Sequence, residues 1–307
     1  MASEQPQQDE WRECTFDTCT IEQSIFQYRP SLPANAFFIA IFGVSMIIHM
    51  YQGYRWKQWT FAALFALGCA SEMIGYGGRI MMYQNPWNYT GFMVQIVCIT
   101  FAPVFMSAAI YITLYKSIMR LSPTSAQFEP ALYCQIFIPC DCICLVLQAV
   151  GGAMSSQSDG TSQLGVDLGL AGLSLQVIVL FLFIVLSIQY AFRYRSDVAA
   201  NKVSGAGLDS KFKFFLTFLS LATLVIFIRC VFRIYELSEG YSGSAFHNEG
   251  IFIGLESVMI MLAALAMNIG HPGLVFDPRK KDSYATTTGV KNTDYTSSEE
   301  NKTSTSV

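Results

Sequence analysis

Seven separate stretches of this chain are each long and apolar enough to cross a bilayer as a helix, and that leaves few folds open to it. They run Pro33–Tyr51, Trp59–Tyr83, Phe92–Tyr115, Leu132–Met154, Leu168–Phe192, Phe212–Leu237 and Gly250–Gly270. About 20 such residues span a hydrocarbon core at a rise of roughly 1.5 Å per residue. In lipid the backbone must satisfy its own polar groups, which only helices and closed barrels do. Runs such as Leu173–Tyr190 lack the in–out alternation of a barrel strand. The chain reads as all-α, a polytopic membrane protein with a seven-transmembrane-helix bundle over residues 33–273. Composition agrees, with 13% charged residues against about 25% in soluble domains.

Basic residues alternate from loop to loop. Arg55 and Lys57 follow the first span and Lys116 and Arg120 the third. Arg193, Arg195, Lys202, Lys211 and Lys213 lie around the fifth connection, and Arg279, Lys280 and Lys281 follow the seventh span. The intervening loops, 84–91, 155–167 and 238–249, contain no Lys or Arg. The positive-inside rule then puts the N-terminus outside and the C-terminus in the cytoplasm. Residues 1–32 are expected as an extracellular N-terminal segment. They are polar and acidic rather than a cleavable signal, so the first span serves as its own insertion signal. Residues 274–307, Ser/Thr-rich from Ser283 onward, are expected as a disordered cytoplasmic tail, either a solvated end or a phosphorylation-controlled trafficking segment.

Two features of the outer side invite covalent chemistry. Asn88-Tyr-Thr90 is a glycosylation sequon, and Cys14 and Cys19 are a disulfide candidate in an oxidising compartment. The remaining cysteines lie within spans. Cys140, Cys142 and Cys144 raise a metal reading, but on a helix the middle one points about 200° away from its neighbours. Packing is the better account. The three histidines, His49, His247 and His271, are expected inside, outside and inside, so one zinc cannot hold all three. A two-His intramembrane hydrolase is kept only as an alternative to a non-enzyme. No metal or cofactor is expected, no phosphate-binding Gly-rich loop is present, and no basic run with aromatics points to nucleic acid.

Ionisable groups in a bilayer are costly and mark function by default. The second span carries Glu72 and Arg79, the fourth Asp141 with Gln148, the sixth Arg229, Arg233 and Glu236, and the seventh Glu256. Spacings of seven, or of four and seven, return each set to one helix face. With the orientation above, Glu72 and Asp141 fall near the midplane and the other six in the outer half. These eight residues are expected to line a polar, ligand-binding chamber open to the outer leaflet, with four carboxylates facing three guanidinium groups. The alternative is that they pair and lock the helices together. Pro103 in the third span frees a backbone carbonyl, as a hinge or as a fixed kink.

These residues, in this order, carry a resemblance. Tyr28-Arg-Pro-Ser31 and His49 frame the first span, and Glu72-x-x-Gly75-Tyr76-x-x-Arg79 lies in the second. Ala102-Pro103 with Tyr111 follows, then Asp141, Gln148 and Gly151-Gly152, then Gly169, Gly172 and Gln176. Arg229-x-x-x-Arg233-x-x-Glu236, Gly240, Glu249 and His271-Pro272-Gly273 complete it. Over Tyr28 to Gly273 the chain resembles the fungal lipid-translocating exporter family, the RTA-like seven-span proteins. It departs at the seventh span, where Ile253 and Glu256 stand in place of the family's Tyr and Asp. The resemblance implies a fungal membrane protein of lipid handling, tied to release of sphingoid long-chain bases, resistance to toxic amphiphiles or porphyrin movement; the plasma membrane is the expected location.

Function is therefore expected as binding and translocation of an amphipathic lipid. A carboxylate such as Glu72 or Asp141 would meet an amine, and Arg229 or Arg233 a phosphate or carboxylate. The rival is a seven-span lipid or stress sensor acting through a cytoplasmic partner. The span-3 ending Ser117-Ile-Met-Arg120 lacks the acid before Arg of familiar receptors, and span 7 lacks a Schiff-base Lys. Whether the chain forms a homo-oligomer is not fixed by its sequence.

Overall fold

The computed structural model describes residues 14, 16–24, 26–157, 163–203, 208–239, 243 and 247–276. The expected tail from Ser283 lies outside the described residues. Six long helices come first: α1 Leu32–Trp56, α2 Trp59–Gln84, α3 Tyr89–Leu121, α4 Ala131–Gln157, α5 Gln163–Ala199 and α6 Ser210–Ser238. The seventh span is interrupted: α7 Glu249–Phe252 passes through a π-helical turn, Ile253–Ser257, into α8 Val258–Ile269. All seven spans are long and apolar enough to cross a membrane, and no strand occurs among the described residues.

The helices outrun the apolar stretches that mark them. α5 has 37 residues, about 55 Å at the helical rise, against a hydrocarbon core of about 30 Å. The apolar stretch of this span ends at Phe192, where Arg193 and Arg195 follow. The helix continues through both, since water does not unwind it and long basic side chains carry their charge clear of the apolar zone. Local chemistry sets other ends. Asn88 caps α3, its side-chain oxygen accepting from the Gly91 N–H at 3.0 Å. Asn248 does the same for α7 with Gly250 at 3.0 Å. α1 stops at Lys57, which takes a left-handed conformation at φ 52°.

Consecutive helices pack side by side, α6 packs on α8, and α8 closes against α1. α3 occupies the middle. Of its most apolar window 61% is buried, against 28% for the corresponding windows of α1 and α4. Val44, Ile47 and Tyr51 of α1 are each more than half exposed, a face only hydrocarbon can cover. Two contacts require glycine. A Cβ on Gly78 would meet the Gly91 carbonyl at 2.6 Å, and one on Gly151 the Gly169 nitrogen at 2.4 Å. These bring α2 against α3 and α4 against α5 at backbone distance, the small-residue packing usual in membranes. The Gly250-x-x-x-Gly254 pair does not serve this purpose, because a Cβ at Gly254 would meet nothing within 4 Å.

Candidate functional site

α6 carries the central charge. Arg229 is 0% exposed, and its Nε donates to Glu256 Oε1 at 3.0 Å, while a second, shorter contact joins its Nη2 to the same oxygen. Nη2 also donates to the Ile99 carbonyl of α3 at 2.9 Å. Ile99 is four residues before Pro103, so this is the carbonyl that proline leaves without a helical donor. The carbonyl freed in α3 therefore has a partner: a guanidinium on α6 takes the place of the missing N–H. That favours a fixed setting at Pro103 over a free hinge.

The π turn places Glu256 opposite Arg229. One extra residue in the turn rotates the helix beyond it relative to a plain α-helix, a device concentrated at functional sites. Glu72 of α2 lies within electrostatic reach of Arg229, Arg233 and Glu256. It is 1% exposed, and neither carboxylate oxygen has a hydrogen-bond partner among the described residues. One turn further along α6, Arg233 pairs with Glu236. Three acids and two guanidinium groups thus share one buried cluster, with contributions from α2, α3, α6 and the π turn.

Beside the cluster is a partly open cavity of about 150 Å³, walled by α3, α4, α5 and α6. Its lining is mostly apolar, with Met93, Ile96 and Phe101 from α3 and Leu173 from α5. Arg233, Glu236 and Gln148 supply its polar edge. Gln148 Nε2 donates to Gln176 Oε1 across α4 and α5 at 2.9 Å. Gly152 also borders the space, and a Cβ there would meet nothing within 4 Å. An aliphatic wall with an ion pair and an amide at one edge is a shape for an amphiphile's head.

The structure places the eight residues in more than one setting. Glu72, Arg229, Arg233, Glu236 and Glu256 cluster, and Gln148 joins Arg233 and Glu236 at the cavity. Arg79 does not join them. Seven residues from Glu72, it sits about 10 Å further along α2 and is taken up by other partners. Its Nε donates to Asn35 Oδ1 at 3.1 Å, its Nη2 to the Tyr28 hydroxyl at 3.1 Å, and it pairs with Glu249 at 3.4 Å. Glu249 also accepts from the Ser31 N–H at 2.7 Å. Arg79 thus ties the N-terminal segment, α1 and α7 together. Asp141 is likewise apart, accepting from the Tyr111 hydroxyl at 3.0 Å between α3 and α4.

Sequence reasoning passed over Glu249, Asn35, Tyr28, Tyr111 and Gln176 as site residues. Glu249 was counted with the loop, although an acid opening a helix beside a buried Arg is a pairing signal. The other candidates have simple settings. Cys14 and Cys19 are joined, with an S–S distance of 2.05 Å. Asn88 is half-buried and engaged as the α3 cap. His49 and His271 lie at the basic end with ring centroids 6.3 Å apart, whereas His247 meets the Phe26 carbonyl at 3.0 Å. Among the described residues no three His, Cys, Asp or Glu side chains are grouped to hold a metal.

A family described as "RTA1 like protein" matches residues 65–279. The chain belongs to the RTA1-like family. All eight candidate residues fall within the matched part of this RTA1-like chain. It is 31% identical over 282 residues to the "Sphingoid long-chain base transporter RSB1" of Saccharomyces cerevisiae, covering 81% of this chain and 74% of the relative. It is 28% identical over 275 residues to the "Lipid-translocating exporter-like protein RTA1" of Leptosphaeria maculans, covering 81% and 51%. The "Protoporphyrin uptake protein 1" of S. cerevisiae is 30% identical over 223 residues, 71% of each. No solved structure matches this RTA1-like chain.

Proposed function

We propose that this chain binds and exports an amphipathic lipid bearing an amine, of the sphingoid long-chain base type, and that it is not an enzyme. The observation that carries the reading is the cavity in which an apolar wall meets Arg233, Glu236 and Gln148. A space of about 150 Å³ holds a group of roughly benzene's size, which fits a short amino-diol head while the alkyl chain stays in the bilayer. Glu236 offers a carboxylate to an ammonium, and Gln148 offers a carbonyl oxygen, without a partner among the described residues, to an ammonium or hydroxyl. The names of the relatives, a sphingoid long-chain base transporter and a lipid-translocating exporter, point to the same ligand class. Loop charges support an orientation with the N-terminus outside, so the cavity faces the outer leaflet, as release from a plasma membrane requires.

Purified protein in proteoliposomes carrying a fluorescent sphingoid base tests this. Flux should exceed that of empty vesicles and fall at least about fivefold in Gly152→Leu, where a Cβ would meet nothing within 4 Å and the rest of the side chain would occupy the cavity. Equal flux with and without protein would sink transport. Wild-type flux unchanged by Gly152→Leu would remove the cavity from the route.

A further inference from the structure

A second and larger cavity lies at the opposite end of the bundle. It is a groove of about 710 Å³ between α5 and α6, floored by Ile110, Leu114 and Ser117 of the central helix α3. Its walls reach from Phe183 to Arg195 on α5 and from Lys213 to Leu224 on α6. Those stretches are about 18 Å and 16 Å long at the helical rise. Either is close to half of the roughly 30 Å hydrocarbon core, the depth of one leaflet.

The interior offers hydrocarbon and little else. Five Ser and Thr hydroxyls line it, and all but that of Ser220 donate to a carbonyl four residues earlier in their own helix. Ser117 does so to Thr113 at 2.8 Å, Ser187 to Phe183 at 2.7 Å, Thr217 to Lys213 at 3.0 Å and Thr223 to Leu219 at 2.8 Å. Bonds of this kind satisfy the donor internally, so these residues present mainly carbon to the space. The Tyr190 hydroxyl is also engaged, on the Ser122 carbonyl at 3.2 Å.

Charge appears only at the mouth, and it has one sign. Arg195 and Lys213 are exposed there, and neither forms an ion pair among the described residues. The acids closest to them in sequence are turned elsewhere. Asp197 accepts from Ser125 at 2.7 Å, and Asp209 pairs with Arg120 at 3.8 Å.

We infer that this groove is an anionic-phospholipid site: one acyl chain lies between α5 and α6 against α3, and the phosphate group sits between Arg195 and Lys213. It differs in sign from the first cavity, whose edge pairs a cation with an acid, and two cations at the mouth repel an ammonium head. The site stands whether or not the chain exports a sphingoid base. It does not depend on Gly152 or on the Arg229 cluster.

Native mass spectrometry of delipidated full-length protein, titrated with phosphatidylserine or with phosphatidylcholine of identical acyl chains, tests it. Wild type should retain phosphatidylserine at least about tenfold better. Arg195→Gln/Lys213→Gln should bring the two lipids level, while Lys202→Gln/Lys211→Gln, equal in charge but outside the groove, should keep the preference. Ser220→Phe, an exposed position inside the groove, should release the lipid with the mouth intact. The proposal fails if wild type shows no preference, or if the preference survives loss of Arg195 and Lys213. It fails equally if the outside pair matters as much, or if Ser220→Phe retains lipid fully. Unfolding curves on each variant separate lost binding from lost structure.

Discussion

Arg229 and Glu256 form an ion pair, yet their removal should not cost the same. The cluster around them contains Glu72, Glu236 and Glu256 against Arg229 and Arg233. Counted as ionised, it carries three negative charges and two positive. Arg229→Gln leaves three acids facing one guanidinium, and it also strips the Ile99 carbonyl of its donor. Breaking a buried pair costs about 3–5 kcal/mol, and an orphaned buried carbonyl adds about 1–3 kcal/mol. Part of that overlaps, so about 4 kcal/mol is expected. Glu256→Gln behaves differently. The amide oxygen still accepts from Arg229, and Glu72, which has no hydrogen-bond partner among the described residues, remains to balance it. The charges become two against two, and the loss should be about 1–2 kcal/mol.

The ordering gives a sign that does not depend on exact magnitudes. Glu256→Gln introduced into Arg229→Gln removes one of three crowded acids, so the double variant should be more stable than Arg229→Gln alone. Unfolding in mixed micelles by increasing sodium dodecyl sulfate, followed by far-ultraviolet circular dichroism and read as midpoint and slope, measures all three. If Glu256→Gln proves as costly as Arg229→Gln, or if the double variant is worse than either single change, Glu72 does not share the site as argued.

Four further changes separate packing from function. Gly151→Leu drives a side chain into the Gly169 backbone and should lower the unfolding free energy by about 3 kcal/mol, whereas Gly152→Leu should be neutral or stabilising by up to about 1 kcal/mol. Replacing Pro103 by Ala restores an N–H that competes with Arg229 for the Ile99 carbonyl. The gain in the same unfolding assay should therefore stay below about 1 kcal/mol rather than approach the roughly 3 kcal/mol ordinarily recovered when proline leaves a helix. Asn88→Ala removes the α3 cap for a loss of about 1 kcal/mol, and glycosidase treatment of wild type should leave its gel mobility unchanged, because Asn88 is half-buried in that cap.

The seven spans were legible because hydrophobic length is a local property, and a bilayer reads it almost directly. Helix ends were not: α5 passes through Arg193 and Arg195 without regard to the membrane surface. Periodicity correctly put Arg229, Arg233 and Glu236 on one stripe, since 3.6 residues per turn needs no tertiary information. It could not say which stripe another faces. Glu72 and Arg79 share a face of α2, yet one lies near the α6 charges and the other meets α1 and α7, because seven residues set them about 10 Å apart along the helix. The π turn was invisible to any fixed period, and with it the direction of Glu256. Pro103 announced a freed carbonyl at Ile99, but its partner lies 130 residues away.

The two cavities, described from different residues, share their walls. α3, α5 and α6 line both, α4 joining only at the first, and no lining residue is common to the two. Between Leu224 and Arg233 on α6 lie nine residue steps, about 13 Å, and this is the layer that closes the seam. Ile226, Arg229 and Cys230 occupy it on α6, Ala102, Pro103 and Met106 on α3, and Val179 and Leu180 on α5, nearly all of them buried. The bond from Arg229 to the carbonyl freed by Pro103 crosses this layer, so a charge-assisted tie between α3 and α6 lies where a headgroup would have to pass. A lipid carrier on this frame must loosen that tie or move the head around it along the bilayer face. The carboxylate of Glu72 near Arg229, without a hydrogen-bond partner among the described residues, provides an alternative acceptor within the layer, and the Ile99 carbonyl freed by Pro103 leaves α3 with no helical bond to break there. Flux measured on Pro103→Ala decides between the routes. A restored helical bond that releases Arg229 should change flux if heads pass through the layer, and should leave flux untouched if they travel outside it.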